Sequence, residues 1–560
     1  MSGFYVSNFD TPINFDVNNQ YKCVRRSVKN DKYVIKSNTS KKFLDDKVFK
    51  ELDNNVFIIE GVVLNKSELI SKYSCSDWES ALIKMRAQNE FYFNDFRGSF
   101  QGAYYDYNDD TWTFYTNHLG DRKVFYYCED GKFIVSSDFN WITKALRNMN
   151  RGGYKYNLDI DAVKSMLSYG WIYRDKTIVS EVKKLKPGSF IKIKNGNIEL
   201  IDKYYSFENT KYVTHSEDKI INEIDSKFRH AVKLEYDKDK EYGYNHLATL
   251  SGGLDSRMSI WVAKDMGYKD ITAITFGQSQ GDDIKVACQI ASALNISHLI
   301  KTLDDASFIS DIPTSVKNTF GLIEASGSIH GNSIMKLLNM SGFGLLHGGL
   351  IGDTVLTSKW EHRKKSNKLI GTRNKVALVP PEKEYKNDEL YLFYENVANL
   401  VLTSQCSRFE DGSYSSPFVD IDFLNYCLKI PLKYRYNYRI YKKWILSKYP
   451  KAADFIWEKT GNKINDSDFA IKMRKLKRNL ERKLNNVPEM NIGMHPYDYW
   501  YESNKEFRNK LNGMYSNLIK NKEIDNEMKK QIKQLYENGN CRYKVSVISV
   551  LQSINEYFKQ

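Results

Sequence analysis

Residues 251–256, Ser-Gly-Gly-Leu-Asp-Ser, bring together what a phosphate site needs: two hydroxyls, two glycines and a carboxylate within one turn. Leu247, Ala248 and Leu250 ahead of them read as a buried strand, and Met258 to Ala263 behind them as the start of a helix. A glycine turn between strand and helix exposes backbone N–H groups at the positive end of the helix dipole, where an anion is stabilised. Ser251 and Ser256 add hydroxyl donors. Asp255 would repel a phosphate unless a cation such as Mg²⁺ lies between them, so the loop points to a nucleotide held together with a metal. The Gly-x-x-x-x-Gly-Lys-Ser/Thr pattern of a Walker loop is absent from this site.

The elements that must position this loop follow the hydrophobic periodicity. Up to about residue 205, short apolar runs alternate with turns: 56–64, 102–107, 111–116, 124–127 and 133–137, the strands of an α+β domain interrupted by helices at 77–89 and 159–167. A hairpin at 190–200 is marked by Asn195-Gly196. After a polar joint at 206–216, the helix 220–234 leads into the loop. The pattern then becomes strand, helix, strand, with 271–277 as the second strand and 283–294 as the next helix. Such alternation predicts a parallel sheet with ligands at the carboxyl ends of its strands. Beyond about residue 390 the chain reads as mostly helical.

At 560 residues, 41% of them hydrophobic, the chain exceeds what one core serves, and the expected domains are 1–205, 206–465 and a helical extension 466–560. The cysteines Cys23, Cys75, Cys128, Cys288, Cys406, Cys427 and Cys541 form no Cys-x-x-Cys pair. That argues against a zinc site or disulfide framework and fits a reducing cytoplasm. No signal-peptide pattern and no long apolar run occur, so a cytoplasmic protein without a membrane span is expected. The formal charge of +14 admits a nucleic acid, an acidic membrane surface or an anionic substrate as partner. Basic residues gather at 363–365, 368–375 and 472–483, with acids nearby, and the last run has the spacing of a solvated helix face. This distribution argues against nucleic acid.

The Ser-Gly-Gly-Leu-Asp-Ser pattern resembles the pyrophosphate loop of the N-type ATP pyrophosphatases, which cleave ATP to AMP and pyrophosphate while adenylating a substrate. Over most of its length to about residue 465, the chain resembles the asparagine synthetase family. The likeness rests on Phe96 to Asp106, Asn117 to Tyr127 and Phe133 to Ser137 in the first part. In the second it rests on Gly352-Asp353 within 347–354, on Ser416-Pro-Phe-Val-Asp420 and on Trp457-Glu-Lys-Thr-Gly461. The resemblance implies an α/β plus α+β protein: an N-terminal glutaminase-like domain of the Ntn-hydrolase fold, a C-terminal ATP pyrophosphatase domain, and the helical extension. ATP and Mg²⁺ are the implied cofactors. Leu250, Ser251, Gly252, Gly253, Asp255, Ser256, Gly277 and Gly348 would line the nucleotide, with Gly277 near the adenine. Asp255 and Asp353 would share the metal, and Lys459 would neutralise charge as the acyl oxygen attacks the α-phosphorus. Asp283, in the simplest reading, caps the helix that follows the second strand.

The departures from that family bear on function. The glutaminase nucleophile is a cysteine at position 2, where this chain has Ser2, a hydroxyl that needs a base to activate it. The family's oxyanion-stabilising Asn-Gly aligns with Glu60-Gly61, and a carboxylate there opposes developing negative charge. No arginine suited to gripping a glutamine carboxylate occurs in 33–41, although Asp77 remains at the position implied for the substrate amine. The domain therefore reads as an inactive glutaminase kept as a packing partner. In the second domain, Leu350 stands where the family places a glutamate beside the acyl-adenylate. Either Glu361 or Glu410 substitutes for it, or the acceptor is not ammonia.

Relatives in the family that close β-lactam or lasso-peptide rings use an amine of the substrate itself. The leading expectation is an ATP-dependent ligase that joins a small-molecule or peptide carboxylate to an amine or ammonia, acting alone or as a homodimer. An ordinary asparagine synthetase is the second reading. A non-catalytic interaction protein and a tRNA-modifying pyrophosphatase represent other classes.

Overall fold

The computed structural model describes residues 2–10, 23–29, 32–149, 154–357, 385–408, 413–467, 469–474, 476, 480 and 493–559. The first part folds as two six-stranded antiparallel sheets. One contains Gly3–Ser7, Val34–Ser40, Phe125–Glu129 and Lys132–Ser136; the other contains Asn55–Val63, Gly98–Asp106, Thr111–Thr116, Ser189–Lys194 and Asn197–Lys203. Period-two alternation stacks them. Phe4, Val6, Val56, Ile58, Phe114 and Val135 meet between the sheets. Tyr5, Phe125 and Ile134 point the other way, onto the helices Phe139–Asn148 and Ile160–Tyr169. Phe57, Ile59 and Tyr104 point outward from the second sheet onto the helix Trp78–Gln88. The result is a helix–sheet–sheet–helix sandwich, as the Ntn-hydrolase expectation required. Asp77 and Asp159 cap their helices by accepting the N–H groups of Ser80 and Ala162. Asn195 and Gly196, at φ 51° and 77°, make the hairpin turn that their sequence announces.

The second part is built on a five-stranded parallel sheet in the order Ser297–Thr302, Ile271–Gly277, Asn245–Thr249, Phe343–His347, Tyr414–Ser415. The first strand in sequence lies in the middle. The next two add on one side and the last two on the other, so the order reverses between Asn245–Thr249 and Phe343–His347, where such sheets open a ligand crevice. The helix before the central strand runs Glu217–Glu241, longer at both ends than its apolar periodicity suggested, and is capped by Ser216. Domain-crossing polar contacts fix the halves together. Arg97 grips Asp422 with two N–H donors, at 2.9 and 3.1 Å, and buried Asp46 accepts from Lys238 at 3.2 Å and from Tyr242 at 2.7 Å.

The helices Tyr497–Ser503, Lys505–Leu518 and Cys541–Phe558 share one core with the first domain and with residues 303–329: Phe139, Ile142 and Met166 pack with Phe308, Ile323, Trp500, Ile548 and Leu551. Arg147 and Tyr156 both donate to the carbonyl of Tyr557. Among the described residues no helix is long and apolar enough to cross a membrane.

Candidate active site

The central strand ends at Thr249, and Leu250 continues into the loop. The N–H of Leu250 donates to Ile274 (2.9 Å) and its carbonyl accepts from Thr275 Oγ1 (2.6 Å), which leaves its side chain in the core beneath the site. Gly253 is the N-cap of the helix Leu254–Asp265. At Gly252 and Gly253 contact rather than φ limits the side chain, severely at the first and mildly at the second. A Cβ on Gly252 would sit 2.7 Å from Glu458 Cβ, and one on Gly253 would sit 3.2 Å from Ser251 Oγ.

Three backbone donors of the loop, those of Ser251, Gly252 and Gly253, have partners within the protein. Ser251 N–H donates to Ser256 Oγ (3.0 Å), Gly252 N–H to Asp283 Oδ1 (3.2 Å) and Gly253 N–H to Ser251 Oγ (3.2 Å). The second of these corrects the expectation for Asp283. The helix Asp282–Leu294 is capped by Gly281, without a side-chain bond, and Asp283 in its first turn reaches across to the glycine loop instead. Burial raises its pKa, and Asp282 adds to the rise.

The second loop leaves the strand Phe343–His347. Gly348 donates to the carbonyl of Ser415 and accepts from Ser259 Oγ, both at 2.8 Å. A Cβ on Gly349 would lie 2.2 Å from Ser256 N, and one on Gly352 would lie 2.6 Å from Asp255 Cγ, so only glycines let the two loops approach this closely. Ile351 holds the chain at φ 63°, a left-handed conformation costly for a β-branched residue, as it enters the turn Gly352–Val355. The turn carries Asp353 to the first loop, where its N–H donates to Asp255 Oδ2 at 2.8 Å. Tyr441, on the helix Arg439–Lys448, donates to the other oxygen at 2.9 Å. Removal from water and the facing charge of Asp353 push the Asp255 carboxyl up to about 7. That concentration of acidic charge is what a hard divalent cation relieves, and two carboxylates from separate loops match the ligand set of Mg²⁺. Behind the second loop, His347 is buried between Asp239 (2.7 Å) and Glu235 (3.3 Å), which fixes the strand end that launches Gly348.

The third contribution is the loop around Lys459. Its Nζ lies 3.7 Å from Asp353 Oδ2 and contacts the hydroxyl of Tyr438. Arg257, fully buried, sets this loop in place: its guanidinium donates to the carbonyls of Gly252 (3.0 Å), Ala452 (3.1 Å), Phe455 (3.3 Å) and Ile456 (2.7 Å), tying the glycine turn to the segment that precedes Lys459. Glu458 lies against the glycine turn, and burial with the nearby Asp283 raises its pKa to about 7.

The structure thus brings Ser251, Gly252, Gly253, Asp255, Ser256, Gly348, Asp353 and Lys459 together where the three loops meet. Sequence reasoning did not single out Tyr438, Tyr441, Arg257 or Glu458. Glu458 was visible only as the neighbour of Lys459, and the two tyrosines carried no local signal. Gly277 ends the adjacent strand but is covered by Met494. Glu361 and Glu410 lie outside the described residues.

Ser2 belongs to the other domain. Its Oγ accepts the N–H of Ser40 at 3.0 Å. Nearby, Glu60 is buried and accepts from Thr39 Oγ1 at 2.8 Å, with Lys47 Nζ at 3.5 Å. The Lys47 ammonium also donates to the carbonyl of Ser40 (2.8 Å), and burial lowers its pKa. Asp77 spends its carboxylate capping a helix.

Residues 48–205 match the model of the glutamine amidotransferase domain, and residues 223–329 match that of asparagine synthase. A curated relative, asparagine synthetase (glutamine-hydrolysing) 1 of Bacillus subtilis (strain 168), is 25% identical over 243 residues, which cover 43% of this chain and 36% of that protein. The chain spans about a third of the length of the curated relative it matches. Among solved structures, NMN synthetase from Francisella tularensis is 16% identical at a TM-score of 0.18, covering 25% of this chain and 58% of that one. The NH3-dependent NAD synthetase of Campylobacter jejuni subsp. jejuni is 14% identical at a TM-score of 0.23, covering 50% of this chain and 91% of that one.

Proposed function

We propose that this chain, which carries the amidotransferase and synthetase domains of the asparagine synthetase family, is an ATP-dependent, AMP-forming carbon–nitrogen ligase whose amidotransferase domain no longer hydrolyses glutamine. A carboxylate oxygen of the substrate attacks the α-phosphorus of ATP, the bond to the bridging oxygen breaks, and pyrophosphate leaves with the electron pair. An amine nitrogen then attacks the acyl carbon and loses a proton, and AMP departs. The observation that carries this reading is the meeting of three separate loops at the strand-order reversal: Asp255 on the glycine loop, Asp353 bonded to it through its N–H, and Lys459 within 3.7 Å of Asp353.

In this reading Ser251, Gly252, Gly253 and Ser256 turn their donors from internal partners to the phosphates, and Gly348 shapes the crevice wall. Asp255 and Asp353 would hold Mg²⁺, which supplies charge neutralisation on the phosphates. The Lys459 ammonium stays protonated: burial lowers its pKa, but Tyr438 and Asp353 outweigh that. It is therefore available to the charge that develops on the departing pyrophosphate. Leu350 is part of the apolar packing beside the strand ends, which supports an acceptor that brings its own amine over free ammonia. The test is ATP–pyrophosphate exchange with Mg²⁺ and a panel of carboxylates, in which wild type exchanges label and Asp255→Asn does not. Absence of exchange with every carboxylate tried, together with no nucleotide binding, would reject the reading in favour of a non-catalytic protein.

A further inference from the structure

We infer that Met494 and His495 form a built-in occupant of the base end of the nucleotide site, which a nucleotide must displace in order to bind; this rests on the nucleotide reading proposed above. The strand Ile271–Gly277 lies beside the strand that carries the phosphate loop, so its carboxyl end is where a nucleotide anchored at Ser251–Ser256 would lay its base. The backbone donor at that end is the N–H of Gln278, and it donates to the carbonyl of Met494 at 3.1 Å. Met494 also lies over Gly277. From the point a Cβ on that glycine would occupy, Met494 Cγ is 3.1 Å away, its carbonyl oxygen 3.5 Å and its Cε 3.9 Å.

A purine offers these same two things, a ring nitrogen that accepts a backbone N–H and a flat apolar face against a glycine Cα. Met494 supplies both from the chain itself. The segment is anchored through the next residue. The His495 ring stacks on His330 at 3.6 Å and 10°, and His330 is held by the hydroxyl of Tyr497 at 2.7 Å. The phosphate end is self-satisfied in the same way, through Ser251, Gly252 and Gly253. Methionine suits a displaceable plug, because its unbranched side chain repacks at little cost.

Occupancy by the chain reduces apparent affinity by the fraction of molecules in which the site is open. Weakening the plug therefore tightens nucleotide binding. The test is calorimetric titration with α,β-methylene-ATP and Mg²⁺ of wild type and of Met494→Gly/His495→Ala, which removes the cover on Gly277 and the stack on His330 but leaves every residue of the phosphate and metal loops intact. The double variant is expected to bind at least about threefold more tightly. In wild type, amide hydrogen exchange across 493–497 is expected to rise when nucleotide is added, a readout that does not depend on the variant's folding. Wild-type binding that is unchanged or weakened by the substitutions, or protection of 493–497 by nucleotide, overturns the inference and leaves the ligase reading standing. No binding by either protein overturns the nucleotide site and the inference together.

Discussion

The backbone N–H of Asp353 donates to Oδ2 of Asp255 at 2.8 Å across 98 residues of chain. This bond brings two acidic loops into one site, at the cost of holding the Asp255 carboxyl out of water beside the charge of Asp353. The raised pKa of Asp255 records that cost, and a metal ion would relieve it. The bond also predicts how the two aspartates respond to mutation.

Asp255→Asn and Asp353→Asn should each abolish ATP–pyrophosphate exchange while leaving the far-ultraviolet circular dichroism of the protein intact. The double variant should be no worse than either single one, because in the proposed site both side chains would serve one ion and residues acting as a unit are not additive. Exchange near the wild-type rate in either single variant would remove that residue from the metal site.

Glu458 makes stability depend on pH. Its carboxyl titrates near 7 in the folded protein, against about 4.3 when unfolded. The folded state therefore binds more protons between these values, and its stabilising contribution is complete below about pH 4 and lost as pH rises to about 7. Glu458→Gln should raise stability at pH 8 by about 1 kcal/mol, after allowance for solvent screening at this half-buried site, and flatten the fall in Tm from pH 5 to 8. An equal fall in both proteins would show that Glu458 ionises normally.

In the first domain, wild type should release no glutamate from glutamine, and Ser2→Cys alone should not restore release, because the buried carboxylate of Glu60 near Ser2 would oppose a developing oxyanion. Glu60→Asn should destabilise the fold by about 3 kcal/mol at neutral pH, since it leaves the buried Lys47 ammonium without its carboxylate partner. Chemical denaturation measures the second effect. Glutamate release from wild type that disappears in Ser2→Ala would make Ser2 a working nucleophile.

Aspartate with ammonium should be a poor substrate pair, because Leu350 cannot take the proton that an incoming ammonia must lose, and its apolar surface leaves a small charged amino acid without a partner. AMP release should be greater with a peptide or sugar carboxylate that carries its own amine. Robust asparagine formation would return the protein to the ordinary synthetases.

Much of this molecule was legible along the chain. The apolar run at Val56 to Ile59 marked a strand, Asn195-Gly196 set a hairpin, and Ser251 to Ser256 set the turn between a strand and a helix, because apolar runs between turns, turn conformation and a glycine-rich helix start are all local properties. The sequence also carried the changes at Ser2, Glu60 and Leu350, since each is a change of residue type. The partners of those residues were decided only by the tertiary structure. Asp283 reads locally as a helix cap, yet its carboxylate turns to Gly252; Tyr441 bonds Asp255, Arg257 ties the glycine turn to the approach to Lys459, and Met494 covers Gly277. Each of these contacts joins segments far apart in the chain, and whether they meet depends on how the sheets, helices and C-terminal core close on one another, which no pattern confined to a short window encodes.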